Sequence, residues 1–171
     1  GTASNIASEY DAMKASHKYL EIGADVIYGG NWSYKIIRGL RDENIPINSH
    51  VGLVPGKATW IGGFRAIGKT ADEAAGVLQH TLELQDAGVI GVELVVVPPR
   101  VATIITQKVK IMTLSMGSGS GCDVEYLFGC DILLSTSGHV PRHSKSYRNF
   151  LKEFDVSFSS SKLKFYEVVF K

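Results

Sequence analysis

The chain has 171 residues, 44% hydrophobic and 20% charged, an ordinary balance for a soluble globular protein. Lys plus Arg number 18 against 17 Asp plus Glu, so the formal net charge is +1 and gives no electrostatic reason to expect nucleic acid or an anionic membrane as partner. Cys122 and Cys130 form no C-x-x-C pattern and cannot build a disulfide framework, so a reduced, cytoplasmic compartment is expected. No apolar run approaches the ~18 residues of a membrane span, and residues 1–20 lack a basic start followed by an apolar stretch.

In chain order, a first helix is predicted from near Ser4, where Ile6, Tyr10, Met13, His17 and Leu20 recur at three- and four-residue steps and Gly23 supplies the stop. Residues 24–28 read as a short buried strand closed by Gly29 and Gly30. A second helix follows from about Asn31 with Trp32, Ile36, Ile37 and Leu40 on one face, then a strand at 46–50. Residues 51–69 form a Gly-rich connection of a length that usually serves function. Thr70 and Glu73 make a capping box, opening a helix through Ala74, Val77, Leu78, Thr81 and Leu84 to Gly88. The continuous apolar run at 89–97 suits a strand covered on both faces. Pro98 and Pro99 begin a short helix, 109–115 read as another strand, 116–121 as a Gly/Ser loop, and 142–154 as a helix. The tail at 157–171 has no assignable periodicity.

Strands alternating with helices imply βα units and a parallel sheet, here within one domain spanning 1–171. Periodicity alone leaves open a doubly wound sheet or a barrel. Both bring ligands to the C-terminal ends of strands, which selects Tyr28, Gly29, Gly30, His50, residues 95–98 and residues 115–121.

Two glycine-rich stretches resemble nucleotide motifs. Gly63-Phe64-Arg65-Ala66-Ile67-Gly68-Lys69-Thr70 fits the phosphate-loop pattern G-x-x-x-x-G-K-[ST], in which backbone amides at a helix N-terminus cradle phosphates. Its context argues for a plainer role, because no central buried strand precedes it and the strand at 89–97 ends without an aspartate. Gly68 then turns the chain and Thr70 caps a helix. A phosphate-loop nucleotide binder stays as an alternative reading. The run Ser115-Met116-Gly117-Ser118-Gly119-Ser120-Gly121 lacks the third glycine of a dinucleotide fingerprint, since Cys122 stands there; it reads as a tight turn where backbone approaches a ligand.

The segments Ser49-His50-Val51-Gly52-Leu53-Val54-Pro55 and Gly62-Gly63-Phe64-Arg65-Ala66-Ile67-Gly68-Lys69-Thr70 resemble the family of ketopantoate hydroxymethyltransferase, which carries G-H-[IL]-G-L-[TV]-P followed by G-G-[FY]-[KR]-x-[QI]-G-[KR]-[TG]. Gly29, Gly30 and Trp32 upstream agree with the same pattern. So do Glu83 to Gly88, Pro98, Met116-Gly117-Ser118-Gly119, Asp123, Asp131 and Gly138-His139-Val140-Pro141-Arg142 downstream. The resemblance runs over about residues 4–154.

It implies a (β/α) TIM-type barrel of the phosphoenolpyruvate/pyruvate superfamily, of which this chain would be the C-terminal five-eighths, its N-terminal units missing. It also implies transfer of a hydroxymethyl group from methylenetetrahydrofolate to 3-methyl-2-oxobutanoate in pantothenate synthesis, with Mg²⁺ holding the 2-oxo acid, a carboxylate removing a proton, and assembly as a homo-oligomer. On this resemblance His50 is the surviving substrate contact, and Gly29, Gly30, Ser115, Gly117 and Gly119 form the pocket rim. Val26 stands where the family has lysine, Tyr28 where it has a metal-binding glutamate, and Val95 where it has its general base, so these residues support no metal site. Glu93, two residues before Val95 and on the same side of a strand, is the candidate replacement base. The replaced positions leave a second reading, a catalytically degenerate paralogue serving as a binding or assembly subunit.

Overall fold

Helix α1 (Glu9–Glu21) begins where the Ser8 hydroxyl accepts from the Asp11 amide at 3.2 Å, with Glu9 and Asp11 in the first turn complementing the helix dipole. The expected start near Ser4 is therefore too early: Ile6 precedes the helix, and Ser8 has the cap geometry. The same correction applies to α2 (Tyr34–Asp42), whose cap is Ser33 and not Asn31; Ser33 Oγ accepts from the Ile36 amide at 3.3 Å. Helix α3 (Ala71–Ala87) starts at Thr70 and ends on Gly88, whose φ of 108° closes the last turn as the sequence predicts. Helix α4 (Pro99–Lys108) starts on the predicted proline pair. The computed structural model describes residues 6, 8–135 and 139–155, so the tail at 157–171 lies outside the described residues. Among the described residues no helix is long and apolar enough to cross a membrane.

Chain contacts divide Gly1–Tyr126 from Leu127–Lys171 as two compact units. The first contains a five-stranded sheet, β1 (Ile27–Tyr28), β2 (Ile47–Gly52), β3 (Gly91–Val95), β4 (Met112–Met116) and β5 (Val124–Glu125). Strand order is β1-β2-β3-β4-β5 and every pair is parallel. Strand β5 escapes the sequence pattern because it is two exposed residues long. Sequential order has no switch point, so this sheet is not doubly wound. Helices α1 to α4 pack each against the next and form a single layer, as right-handed crossovers between adjacent parallel strands require.

That layer covers one face only. Ile27, Ile47, Val51, Val92 and Leu94 turn toward it and join Ile37, Leu40, Leu84, Ala102 and Ile105 in the main core. Strand alternation sends Tyr28, Asn48, His50, Gly52, Glu93, Val95, Leu114 and Met116 to the opposite face. A separate small cluster of Leu53, Val95 and Met116 caps the C-terminal end of that face.

The second unit holds α5 (Gly129–Leu133) and a helical segment at 150–155. The helix expected over 142–154 is absent from residues 142–149. The Tyr147 amide donates instead to the Ile132 carbonyl at 2.8 Å, and Ser146 Oγ donates to the Asp131 carbonyl at 3.0 Å, so tertiary bonds to α5 replace helical ones.

Gly52 ends β2 at φ 82°, and a Cβ there would strike the Val95 carbonyl. Gly52→Ala is expected to lower stability by about 1–3 kcal/mol, measured by urea unfolding. An unchanged midpoint would show that β2 and β3 do not approach so closely.

Candidate active site

Three neighbouring strands each bring a polar side chain into one cluster on the helix-free face. His50 of β2 and Glu93 of β3 are direct register partners, and Tyr28 closes the group from β1. Tyr28 Oη lies 2.6 Å from His50 Nδ1 and donates to Glu93 Oε2 at 2.7 Å. His50 Nδ1 and Glu93 Oε2 are themselves 3.8 Å apart. The other ring nitrogen, His50 Nε2, is 2.8 Å from the Leu53 carbonyl, which can only accept, so Nε2 carries a proton. Gly52 makes this contact available by turning the chain at positive φ just before Leu53.

His50 and Glu93 are each 6% exposed, whereas Tyr28 is 38% exposed. Burial pushes the Glu93 carboxyl above its ordinary range, and the bond from Tyr28 offsets part of that rise. Burial pulls the His50 imidazole down; the Leu53 carbonyl opposes this, and Lys57 and His80 reinforce it. Burial and the Glu93 carboxylate hold the Tyr28 phenol far above its usual range, so it stays a hydroxyl at every physiological pH. The group therefore offers a proton-accepting carboxylate whose proton affinity burial raises. Glu93 Oε2 is tied by Tyr28, and Oε1 has no hydrogen-bond partner among the described residues.

The structure thus brings Glu93 and His50 together. It adds Tyr28, which the sequence marks as a strand-end position and as a departure from a family pattern but not as a partner of either residue. His50, expected to contact substrate, has both ring nitrogens engaged by Tyr28 and Leu53. Asn48 was also missed. It lies on the same face with a buried Oδ1 that lacks a partner, in space that Gly91 leaves by having no Cβ. Its spacing of two residues from His50 was the available signal.

The expected rim is explained mainly by packing. A Cβ at Gly29 would strike the Trp32 indole, one at Gly30 would meet the Tyr28 ring at 3.0 Å, and one at Gly119 would meet Pro99 at 2.7 Å. Gly117 has φ 67°. The Ser115 hydroxyl accepts from the Ser118 amide at 3.2 Å, while Ser118 Oγ accepts from the Val97 amide and donates to the Leu94 carbonyl. These bonds stitch the 115–119 turn to the end of β3, where Val96 takes φ 51°, a costly conformation for a β-branched residue.

Residues 2–163 match the family profile described as ketopantoate hydroxymethyltransferase. The chain belongs to this family. It is 36% identical over 129 residues to 3-methyl-2-oxobutanoate hydroxymethyltransferase 1 of Methylibium petroleiphilum, a match covering 74% of this chain and 44% of that protein. It is 36% identical over 139 residues to the 3-methyl-2-oxobutanoate hydroxymethyltransferase of Pyrobaculum islandicum, covering 80% and 53%. With 3-methyl-2-oxobutanoate hydroxymethyltransferase 2 of Bradyrhizobium diazoefficiens it shares 32% over 157 residues, covering 91% and 53%. The chain spans about half the length of the curated relatives it matches. A solved structure titled "Native KDPGal structure" aligns with a TM-score of 0.46 at 13% identity, over 90% of this chain and 68% of that one, too distant a likeness to bear on the fold.

In this ketopantoate hydroxymethyltransferase family member the phosphate-loop pattern at 63–70 does not form a phosphate cradle. It follows a 3₁₀ turn, Pro55–Ile61, and not a strand. The Gly68 and Lys69 amides donate to Glu73 Oε2, and Thr70 Oγ1 accepts from the Glu73 amide, so the chain's own carboxylate fills the position a phosphate would take. Glu73 also pairs with Arg65 at 2.8 Å. Among the described residues no group of three His, Cys, Asp or Glu side chains could hold a metal. The Tyr28–His50–Glu93 cluster does not fit Mg²⁺, a hard ion that wants several oxygen ligands, because it offers one carboxylate with one oxygen already engaged.

Glu93 carries a pH signature. A carboxyl whose pKa is raised on folding contributes stability that is complete below its ordinary 4.5 and is lost as pH rises through the raised value. His50, depressed from 6.5, contributes stability above 6.5 that is lost as pH falls through its lowered value. Glu93→Gln is therefore expected to gain on wild type as pH rises above 4.5 in urea unfolding. A pH-independent difference would mean that Glu93 ionises freely.

Proposed function

We propose that the chain is the substrate-activating part of a hydroxymethyltransferase that takes a one-carbon unit from methylenetetrahydrofolate and adds it to 3-methyl-2-oxobutanoate, the pantothenate-forming reaction of its relatives' name. The observation that carries this reading is a buried carboxylate of raised proton affinity, held by Tyr28 and His50 at the C-terminal half of a parallel sheet. Family membership supplies the reaction class. Glu93 takes the proton from the carbon next to the keto group, and the resulting enolate attacks the one-carbon unit. Tyr28 fixes the carboxylate and His50 fixes Tyr28. Ligands for Mg²⁺ would have to come from outside the described residues.

The fold belongs to the same proposal. A sheet in sequential order with helices on one face is what part of a barrel wall looks like, and its uncovered face becomes the lumen. Further strands, from a longer polypeptide or from other copies in a homo-oligomer, would cover the edges at β1 and β5.

A second reading, a binding or assembly subunit without turnover, is favoured by the closed bonding of His50 and by Val26 and Val95 at positions where the family pattern is charged. Exchange of the C3 proton of 3-methyl-2-oxobutanoate in D2O, followed by NMR with the complete protein, separates the two. Wild type is expected to catalyse exchange, and Glu93→Gln to slow it by about 10²–10⁴-fold. No exchange by wild type would leave the binding subunit, and unaltered exchange by Glu93→Gln would place the base elsewhere.

A further inference from the structure

Two short contacts converge on one hydroxyl. Tyr28 Oη is 2.6 Å from His50 Nδ1 and 2.7 Å from Glu93 Oε2, both within hydrogen-bond range. A phenol has a single proton and can donate only once. The proton on the far side of the imidazole is already committed to the Leu53 carbonyl through Nε2. With an ionised Glu93 and a neutral His50, one of the two contacts would set lone pair against lone pair. Two bonds through one hydroxyl need a second proton between the outer partners.

We infer that Glu93 and His50 hold one proton in common, passed between them through the hydroxyl of Tyr28. In one arrangement protonated Glu93 donates to the Tyr28 oxygen while Tyr28 donates to His50 Nδ1. In the other, Tyr28 donates to ionised Glu93 while protonated His50 Nδ1 donates to the Tyr28 oxygen. Interconversion moves two protons in the same direction, one from Glu93 to Tyr28 and one from Tyr28 to His50. The total charge of the three groups does not change. Net charge is what a buried site resists, so a transfer that keeps the group neutral overall is the inexpensive one.

This gives Tyr28 a positioning role in the reaction, a meaning that rests on the hydroxymethyltransferase reading. Transfer toward His50 readies the base. It leaves Glu93 ionised, with Oε2 still held by Tyr28 and Oε1 open to take the proton from the substrate carbon. His50 becomes the store from which that proton vacancy is made, so its engagement through both ring nitrogens is a working state and not a bar to function. The surroundings agree. Burial favours the proton on Glu93, the Leu53 carbonyl favours it on His50, and Lys57 and His80 push against a charged imidazole. Tyr126 is the further titratable group that acts on Tyr28, and burial keeps the phenol from ionising and draining the relay.

The test is an NMR titration of the full chain labelled with ¹⁵N-histidine and ¹³C-glutamate, following His50 Nδ1 and Glu93 Cδ together without substrate. A shared proton predicts that both nuclei shift at the same midpoints, that together they account for one proton at about pH 7, and that Tyr28→Phe splits the curves into two independent ones. Separate midpoints in wild type, or a pair carrying no proton at about pH 7, would overturn the inference. The wild-type curves decide the matter even where Tyr28→Phe does not fold. Coincident curves with no C3 exchange would keep the relay and remove the transferase reading. Independent curves with C3 exchange would do the reverse.

Discussion

Tyr28 Oη is the atom on which the polar face of the sheet depends. His50 and Glu93 sit opposite each other on β2 and β3, and His50 Nδ1 and Glu93 Oε2 are 3.8 Å apart, too far for a direct hydrogen bond. The phenol fills that gap from β1 and turns two separately buried ionisable groups into one satisfied network. Without it a carboxylate and an imidazole would each lose a partner in a site where both are nearly excluded from water, the circumstance in which an unmade hydrogen bond costs most. The contact also ties the two-residue strand β1 to the centre of the sheet by side chains, where its backbone ladder is short.

The surrounding architecture holds that network in place. Helices α1 to α4 cover only one face, where the strands' main apolar cluster packs, and the polar cluster sits on the other. Gly52 ends β2 with a turn that brings the Leu53 carbonyl back to His50, and the Leu53, Val95 and Met116 cluster closes the face just above. Val96, strained at φ 51°, and the Ser118 bonds to Val97 and Leu94 fix the end of β3 immediately beyond Glu93 and Val95. Glycines in the 115–121 turn serve close packing on α4, as the collisions of added Cβ atoms with Pro99 and Thr103 show.

Much of the fold could be read from local chemistry. Thr70, Gly88 and the proline pair at 98–99 mark helix ends through the backbone groups they satisfy or lack, and the run before Pro98, apolar but for Glu93, marks β3, every residue of which is buried. Failures arose where tertiary partners decided the outcome. Residues 142–149 bond to α5 instead of to each other, and β5 is too short for a pattern. In the site, His50 and Glu93 were legible as polar residues in strand positions. Tyr28 was not legible as their bridge, because that depends on the register of three strands far apart in sequence. The plainer reading of the phosphate-loop letters, a turn at Gly68 and a cap at Thr70, agrees with the structure, which adds that Glu73 occupies the amides.

The central proposal, that Glu93 accepts the substrate proton on this face, is tested most directly by a crystal structure of the complete protein with an unreactive 2-oxo acid analogue. The account predicts the analogue on the helix-free face with the carbon next to its keto group about 3–3.5 Å from a Glu93 carboxylate oxygen. An analogue seated away from Glu93, with another carboxylate at that distance, would contradict it.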